Sequence, residues 1–151
     1  MLKTFVCQVC NHIAFNEAPV DCPVCGSAIE NFENVTDAIM SAADPENLSD
    51  FEKKHIPSIR LEKACTSDSG GACTDVHVKV GEIEHVIEPE HFINFIDLYI
   101  DRKYFSRIVF TPKRIYPSVH LHVNADKGMF SAIAHCNVHG SWRSKVKLDQ
   151  S

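Results

Sequence analysis

Five side chains in this sequence, four imidazoles and one thiol, have the chemistry to hold a single transition metal. They lie far apart in the chain: His55, His85, His91, Cys136 and His139. Five donors exceed the closed tetrahedral shell that zinc prefers in structural sites. Iron accepts imidazoles in a plane with a thiolate on the axis, and it keeps a sixth position open. The set therefore favours iron, although Cys136-Asn137-x-His139-Gly140 alone is typical of ordinary packing in many folds.

These donors must be positioned by bends in the chain. His85 and His91 are six residues apart, which on a straight strand separates them by roughly 20 Å. Pro89 argues against a continuous strand, so we expect a loop that brings both rings to one point. His55 precedes Pro57 and is also expected on a bend.

The first thirty residues hold a second donor set, two C-x-x-C pairs formed by Cys7, Cys10, Cys22 and Cys25. Each pair forms a knuckle, and two facing knuckles enclose one tetrahedral ion. Gly26 and Asn11 follow the second cysteine of each pair, where the backbone adopts the left-handed conformation. Four thiolates suit zinc or iron. A structural zinc ribbon remains open, but we favour iron because the quartet resembles the rubredoxin-type ribbons attached to several peroxide- and superoxide-handling proteins.

Hydrophobic patterning predicts mainly β structure around these residues. Alternation of apolar and polar residues over 76–80, 117–123 and, weakly, 145–148 is typical of half-buried strands, and 92–100 and 107–110 are rich in β-branched and aromatic residues. Many short strands separated by turns indicate an antiparallel sandwich or barrel. We expect a ribbon over 1–32, an acidic, partly helical connector over 33–50 and a β-domain over 51–151. Asp44-Pro45-Glu46 predicts the start of the connector helix, which must end by Lys54 or His55.

Composition excludes several functions. The net charge is −5 without a basic stripe, so nucleic acid is a poor candidate partner. No apolar run reaches the length of a signal peptide or of a spanning helix, and we expect a cytoplasmic protein without a membrane partner. In a reducing compartment the seven cysteines are expected to be metal ligands or free thiols. Cys65 and Cys73 are accordingly expected as reduced thiols, with a redox-dependent disulfide as the alternative.

The remaining histidines have plainer interpretations. Three histidines at the polar positions of their predicted strands are expected to be exposed: His77, His120 and His122. His12, which follows the first knuckle, is also expected to be exposed. His135 is predicted to pack beside the metal site rather than to bind in it, and Trp142 to be a core or site-wall aromatic.

From about residue 53 to the C-terminus, the sequence resembles the desulfoferrodoxin or superoxide reductase family. Three motifs carry the resemblance: Lys54-His55-x-Pro57, His85-x5-His91-Phe92-Ile93 and Cys136-Asn137-x-His139-Gly140-x-Trp142. It implies an immunoglobulin-like β-sandwich and a catalytic iron surrounded by four histidines, with Cys136 behind it. It also implies one-electron reduction of superoxide to hydrogen peroxide, in which Lys54 attracts the anion and orders a water for proton delivery.

The sequence also departs from the family. The family usually has a glutamate directly before the lysine, as a cap on ferric iron, where this chain has Lys53. The capping ligand is therefore either missing or supplied by Glu52, one residue earlier, through a local bulge, which makes Glu52 the candidate sixth ligand. The family's own ribbon has its last two cysteines adjacent, unlike Cys22-x2-Cys25. We expect a second iron, or zinc, in the ribbon, an external donor such as a rubredoxin-type protein, and a homodimer or higher homo-oligomer. The alternative is a non-catalytic electron-transfer or metal-binding protein with a rubredoxin-like or structural zinc ribbon.

Overall fold

The chain folds into three antiparallel β-sheets, one of them extended by a parallel strand, as seen in a computed structural model that describes residues 2–62, 65, 68 and 70–149. The strands and the one α-helix are, in chain order, β1 (Thr4–Cys7), β2 (Ile13–Phe15), β3 (Phe32–Asn34), β4 (Ile39–Met40), α1 (Asp50–His55), β5 (Pro57–Glu62), β6 (Thr74–Val80), β7 (Ile93–Ile100), β8 (Lys103–Val109), β9 (Ser118–Val123), β10 (Met129–Cys136) and β11 (Gly140–Lys147). Within the described ranges, no helix has the length and apolarity needed to cross a lipid bilayer.

The larger part of the chain is a β-sandwich. A five-stranded sheet with the order β4-β11-β10-β7-β8 faces a three-stranded sheet with the order β5-β6-β9. Val76, Val78 and Val80 point from β6 into the space between the sheets, where they join Ile96 and Phe130 of the facing sheet in one buried cluster. This alternation is the period-two signal seen in the sequence, and the expected mainly β sandwich is confirmed.

The ribbon is a separate three-stranded sheet at the N-terminus. Its central strand β1 pairs antiparallel with both β2 and β3. After the ribbon, β4 pairs parallel with β11, so that Ile39 lies opposite Ser141 and Met40 opposite Trp142. The connector therefore adds a strand to the sandwich at the level of Trp142.

The connector helix begins later than the sequence suggested. We predicted a start at Asp44-Pro45-Glu46, but α1 has Ser49 as its N-cap. The Ser49 hydroxyl accepts a hydrogen bond from the Glu52 N–H, and the Glu52 carboxylate accepts one from the Ser49 N–H, which completes a capping box. These two hydrogen bonds satisfy two N–H groups at the start of the helix, and this stabilisation outweighs the preference of proline for the first helical position. The helix ends at His55, as expected before Pro57.

Buried polar contacts dock the ribbon onto the outer face of the five-stranded sheet. His12, predicted to be exposed, is only 1% exposed, and its Nδ1 donates to Asp97 Oδ2 at 2.9 Å. Arg107 donates to the same carboxylate and also to the Cys10 carbonyl at 2.9 Å. Tyr99 donates to the carbonyl of Ile13 at 2.6 Å. The prediction for His12 was wrong because its partner lies 85 residues away, beyond the reach of local patterns.

Cys65 and Cys73 form a disulfide, which corrects the expectation of two reduced thiols. They lie in the β5–β6 connection, and their Cα atoms are 5.6 Å apart, within the range that a disulfide spans. The reducing-compartment argument concerned the surroundings of the protein, whereas the antiparallel pairing of β5 with β6 brings the two cysteines next to each other.

Candidate metal centres

The four ribbon cysteines converge on one point. Their sulfurs all lie within 4.8 Å of one another, with Cys7 and Cys25 3.7 Å apart and Cys10 and Cys22 3.6 Å apart. A tetrahedral ion with bonds of about 2.3 Å to sulfur places its ligands roughly 3.8 Å apart. All four are free of disulfides. The spacing and chemistry of the set therefore fit a tetrathiolate metal site.

The local backbone explains why these sulfurs meet. In the first knuckle the Asn11 N–H donates to the Cys7 carbonyl at 2.9 Å, and in the second the Gly26 N–H donates to the Cys22 carbonyl at the same distance. Asn11 has φ of 65° and Gly26 has φ of 79°, the left-handed conformation expected after each pair.

The thiols experience opposing influences on their ionisation. Hydrogen bonds from the Ser27 hydroxyl and backbone N–H lower the pKa of Cys25 to about 6, with the Ser27 oxygen 3.1 Å from the sulfur. Burial instead raises the pKa of Cys10 and Cys22. A bound cation would favour the thiolate form of all four, including the two whose pKa burial raises.

The second donor set is assembled from four separate parts of the sandwich. His55 ends α1, His85 and His91 lie in the β6–β7 loop, Cys136 ends β10, and His139 lies in the β10–β11 turn. The donor atoms of all but His85 lie within 4.8 Å of one another, and His85 Nε2 is 3.5 Å from Cys136 Sγ.

The loop between β6 and β7 curls as the sequence suggested. Glu88 and His91 form an isolated antiparallel bridge with two backbone hydrogen bonds, of 3.1 and 2.9 Å, so the loop returns on itself. Asn137, to which we had given no role, secures this loop: its side chain accepts from the Phe92 N–H and donates to the Glu90 carbonyl. The Asn137 amide therefore ties the loop carrying His91 to the turn that follows Cys136.

The four imidazoles are arranged as the corners of a square. Going round from His55 to His85, His91 and His139, neighbouring ring centroids are 4.8, 4.7, 5.0 and 4.9 Å apart, and the diagonal from His55 to His91 is 6.5 Å. Cys136 Sγ is 3.8 Å from His139 Nδ1, close to one face of this square. His55 Nε2 and His139 Nδ1 are 3.2 Å apart, near the roughly 3 Å between adjacent ligands of one ion with bonds of about 2.1 Å.

Hydrogen bonds behind the rings fix which nitrogen faces inward. His55 Nδ1 donates to the Phe51 carbonyl and His85 Nδ1 to the Val86 carbonyl, each at 2.7 Å, so their Nε2 lone pairs point into the square. His91 Nε2 is buried with no hydrogen-bond partner among the described residues. A buried polar atom without a partner is costly, and a metal ion is the partner that the neighbouring donors would share.

The rings are held in the uncharged form that binds metals. Burial, together with charge repulsion from the neighbouring imidazoles, lowers the pKa of His85 to about 4. Burial is also the main cause of the lowered pKa of His55 and His91. Neutral imidazoles keep a lone pair for a cation at neutral pH.

Aromatic side chains line the square. Trp142 is 4% exposed; it donates to the His139 carbonyl at 3.1 Å and packs against His55, as expected of a site-wall residue. Phe51, which no sequence signal had singled out, contacts His55, His139 and Trp142 with centroid distances of 4.5 to 5.5 Å. His135 stacks on Phe95 and bonds to the Ser141 hydroxyl, in line with its predicted packing role.

The charged residues before His55 have different surroundings. Lys54 is exposed and adjacent to the buried His55. Both carboxylate oxygens of Glu52 are already bonded, to the N–H groups of Ser49 and Ala43, each at 2.9 Å. The Lys53 carbonyl accepts from the Ile83 N–H at 3.3 Å, which attaches the end of α1 to the β6–β7 loop.

Together, the β-sandwich, its square of imidazoles with one thiol and the four-cysteine ribbon define a metalloprotein with two candidate sites for transition metals. Comparison with known proteins agrees: residues 47–145 match the family described as Desulfoferrodoxin, and residues 5–33 match the rubredoxin-like domain of rubrerythrin. The chain belongs to the desulfoferrodoxin family.

Individual relatives show how far the similarity extends. The chain is 34% identical over 108 residues to a superoxide reductase of Pyrococcus abyssi, covering 64% of this chain and 89% of the relative. It is 32% identical over 130 residues to a desulfoferrodoxin of Desulfarculus baarsii, covering 82% and 92%. Among solved structures, a superoxide reductase (neelaredoxin) of Ignicoccus hospitalis superposes with a TM-score of 0.60 at 25% identity, covering 76% of this chain and 97% of that one.

Proposed function

We propose that this protein is a superoxide reductase, which reduces superoxide to hydrogen peroxide with one electron and two protons. The reaction takes place at a mononuclear non-haem iron held by His55, His85, His91, His139 and Cys136. The observation that carries the proposal is the square of four imidazoles with a thiol against one face. The names of the relatives support the substrate.

Iron bound at these donors would supply the electron and an open coordination position for the anion. The chain's part is to hold the site in shape. The carbonyls of Phe51 and Val86 orient the rings of His55 and His85, and the aromatic side chains exclude water from that side of the square. The thiolate of Cys136 would increase electron density on a bound iron and so favour electron transfer to the substrate.

Lys54 is the proposed catalytic residue. Its exposed side chain lies in the last turn of α1, directly before His55, so its ammonium group attracts a small anion to the pocket and orders a water for proton delivery. The effect is local, because the whole chain has a net charge of −5. Both oxygens of Glu52 are engaged in this conformation, by the N–H groups of Ser49 and Ala43, so we propose that Glu52 is not a sixth ligand and that the sixth position stays accessible to small anions.

The ribbon is proposed to hold a second iron, bound by Cys7, Cys10, Cys22 and Cys25, and to pass electrons. An external donor of the rubredoxin type would restore the reduced state after each turnover. We keep the division into a ribbon over 1–32, a connector over 33–50 and a catalytic domain over 51–151, and a homodimer or higher homo-oligomer, as proposals.

The test compares Cys136→Ser with Cys25→Ser, which removes a thiolate from the other site. Metal analysis of the unchanged protein should give about two irons per chain. In the oxidised protein, Cys136→Ser should lose a thiolate-to-iron absorption band and superoxide reduction by stopped flow, while the ribbon absorption stays. Cys25→Ser should lose the ribbon absorption only.

Two results would contradict the proposal. If Cys136→Ser keeps every absorption band and its activity, the thiol is outside the coordination sphere. If the protein contains one zinc and no iron, it is a structural zinc-ribbon protein without the proposed chemistry.

A further inference from the structure

A third group of metal-binding side chains lies on the solvent face of the three-stranded sheet. On β6 and β9 the residues that point away from the core include Asp75, His77, His120 and His122. The strand register places Asp75 opposite His122 and His77 opposite His120, so the four form a block in which cross-strand partners are near neighbours. This face takes no part in the two centres described above.

Within this block three donor atoms converge. One ligand atom each from Asp75, His120 and His122 lies within 4.8 Å of the other two. The Asp75 carboxylate is hydrogen-bonded to His120 Nε2 across the diagonal of the block, and the rings of His120 and His122 are 5.3 Å apart. The carboxylate is therefore turned toward the two imidazoles rather than toward solvent.

The surroundings restrict how these side chains can move. His77 stacks on His120 with ring centroids 4.1 Å apart, and its Nε2 is 3.6 Å from Asp75 Oδ1. Asp75 is only 15% exposed although it lies on the outer face. Packing of this kind reduces the entropy lost when a ligand is bound, because the donors are already close to their bound positions.

The site is separate from the proposed catalytic centre. Asp75 lies near the start of β6, whereas the loop carrying His85 and His91 begins at Gly81, six residues later, or roughly 20 Å away along an extended strand. Cys73 Sγ lies 3.7 Å from His122 Nδ1, but Cys73 is bonded to Cys65 in a disulfide, and its sulfur is not a thiolate ligand while that disulfide is oxidised.

We propose that Asp75, His120 and His122 form a binding site for a divalent transition-metal cation of the zinc class. Two neutral imidazoles and one carboxylate are a donor set that zinc accepts, with solvent completing the tetrahedron. Ca²⁺ and Mg²⁺ prefer oxygen ligands and are disfavoured by a site that is two-thirds nitrogen. The site is open on its solvent side, so a cation reaches it without any rearrangement of the strands.

The experiment is calorimetric titration of the iron-loaded full chain with Zn²⁺ alone, with the Cys65–Cys73 disulfide kept oxidised. We expect one additional equivalent of Zn²⁺ per chain, with the iron content unchanged before and after. Asp75→Asn and His120→Gln should each weaken binding by about ten-fold or more. Lys79→Gln, on the same face of β6, is the matched control and should leave the affinity unchanged.

Iron content and visible absorption of each variant confirm that it has folded before its titration is interpreted. Absence of any zinc binding beyond the iron sites overturns the proposal. So does binding of the same affinity in both ligand variants, which places the zinc elsewhere, or uptake of zinc that releases an equal amount of iron, which means displacement from the ribbon or the sandwich. The proposed reductase activity is measured separately and is expected to be the same in all three variants, so its failure would not affect this result.

Discussion

Replacing Asp97 by asparagine removes the buried negative charge that joins the ribbon to the sandwich. The Asp97 side chain is 1% exposed; it accepts from Arg107 Nε at 2.5 Å and Nη2 at 2.9 Å, and from His12 Nδ1 at 2.9 Å. Asparagine keeps nearly the same shape but leaves the Arg107 guanidinium, only 9% exposed, without a buried partner of opposite charge.

The size of the effect follows from this burial. Removing one partner of a buried ion pair costs about 3–5 kcal/mol, mainly because the other charge stays desolvated. In a protein of this length 1 kcal/mol changes Tm by roughly 2–4 °C, so Asp97→Asn should lower Tm by roughly 6–20 °C. That loss is a large part of the roughly 5–15 kcal/mol that stabilises an ordinary domain.

The assay is thermal unfolding of the iron-loaded protein, combined with limited proteolysis of the connector. The matched control is Arg60→Gln, which breaks the exposed Arg60–Glu62 pair and should cost less than about 1 kcal/mol. Replacing both charged partners, with Asp97→Leu and Arg107→Met, removes the desolvated charge and should recover part of the loss, while His12 Nδ1 and the Cys10 carbonyl lose their partners. If Asp97→Asn is no more destabilising than Arg60→Gln, the contact does not hold the ribbon in place.

Two further perturbations test the second centre. Asn137→Ala removes both hydrogen bonds between the loop of His91 and the turn after Cys136. We expect the free energy of unfolding to fall by about 1–2 kcal/mol and iron to be lost to a chelator roughly ten-fold faster. Asn137→Asp keeps the acceptor oxygen and should give intermediate values of both. In the metal-free protein the lowered pKa of His85, about 4 against 6.5, means that the unfolded state binds more protons between these values. The contribution of His85 to the free energy of unfolding should therefore be fully present above pH 6.5 and should fall by up to about 3 kcal/mol as the pH is lowered toward 4. Urea titrations at several pH values measure this change. A free energy that does not vary with pH would show that burial of this ring is not costly.

Local patterns in the sequence were sufficient where a residue's role depends on its neighbours in the chain. The two knuckles follow from cysteine spacing and from Asn11 and Gly26, because a left-handed residue is a local requirement. The strands of the sandwich follow from alternation, since burial of one face repeats every second residue. Pro89 correctly indicated a loop between His85 and His91.

Sequence patterns did not predict contacts between parts of the chain that are distant in sequence. Phe51 lies against the imidazoles only because α1 packs on the β10–β11 turn, and no pattern in the neighbouring sequence predicts that contact. His12 was assigned to solvent because Asp97 is 85 residues away. The helix start was misplaced because two signals competed, and only the folded chain shows that Ser49 and Glu52 satisfy each other.

The contact between ribbon and sandwich also limits how such a protein can be recombined. An apolar cluster of Ile13, Tyr99 and Ile133 continues beneath the polar contacts, so truncation at the connector would expose both hydrophobic surface and a desolvated ion pair. Grafting this ribbon onto a different sandwich would require the recipient to carry counterparts of Asp97, Tyr99 and Arg107. Because these residues are in contact, a substitution on the ribbon side is expected to require a compensating substitution on the sandwich side.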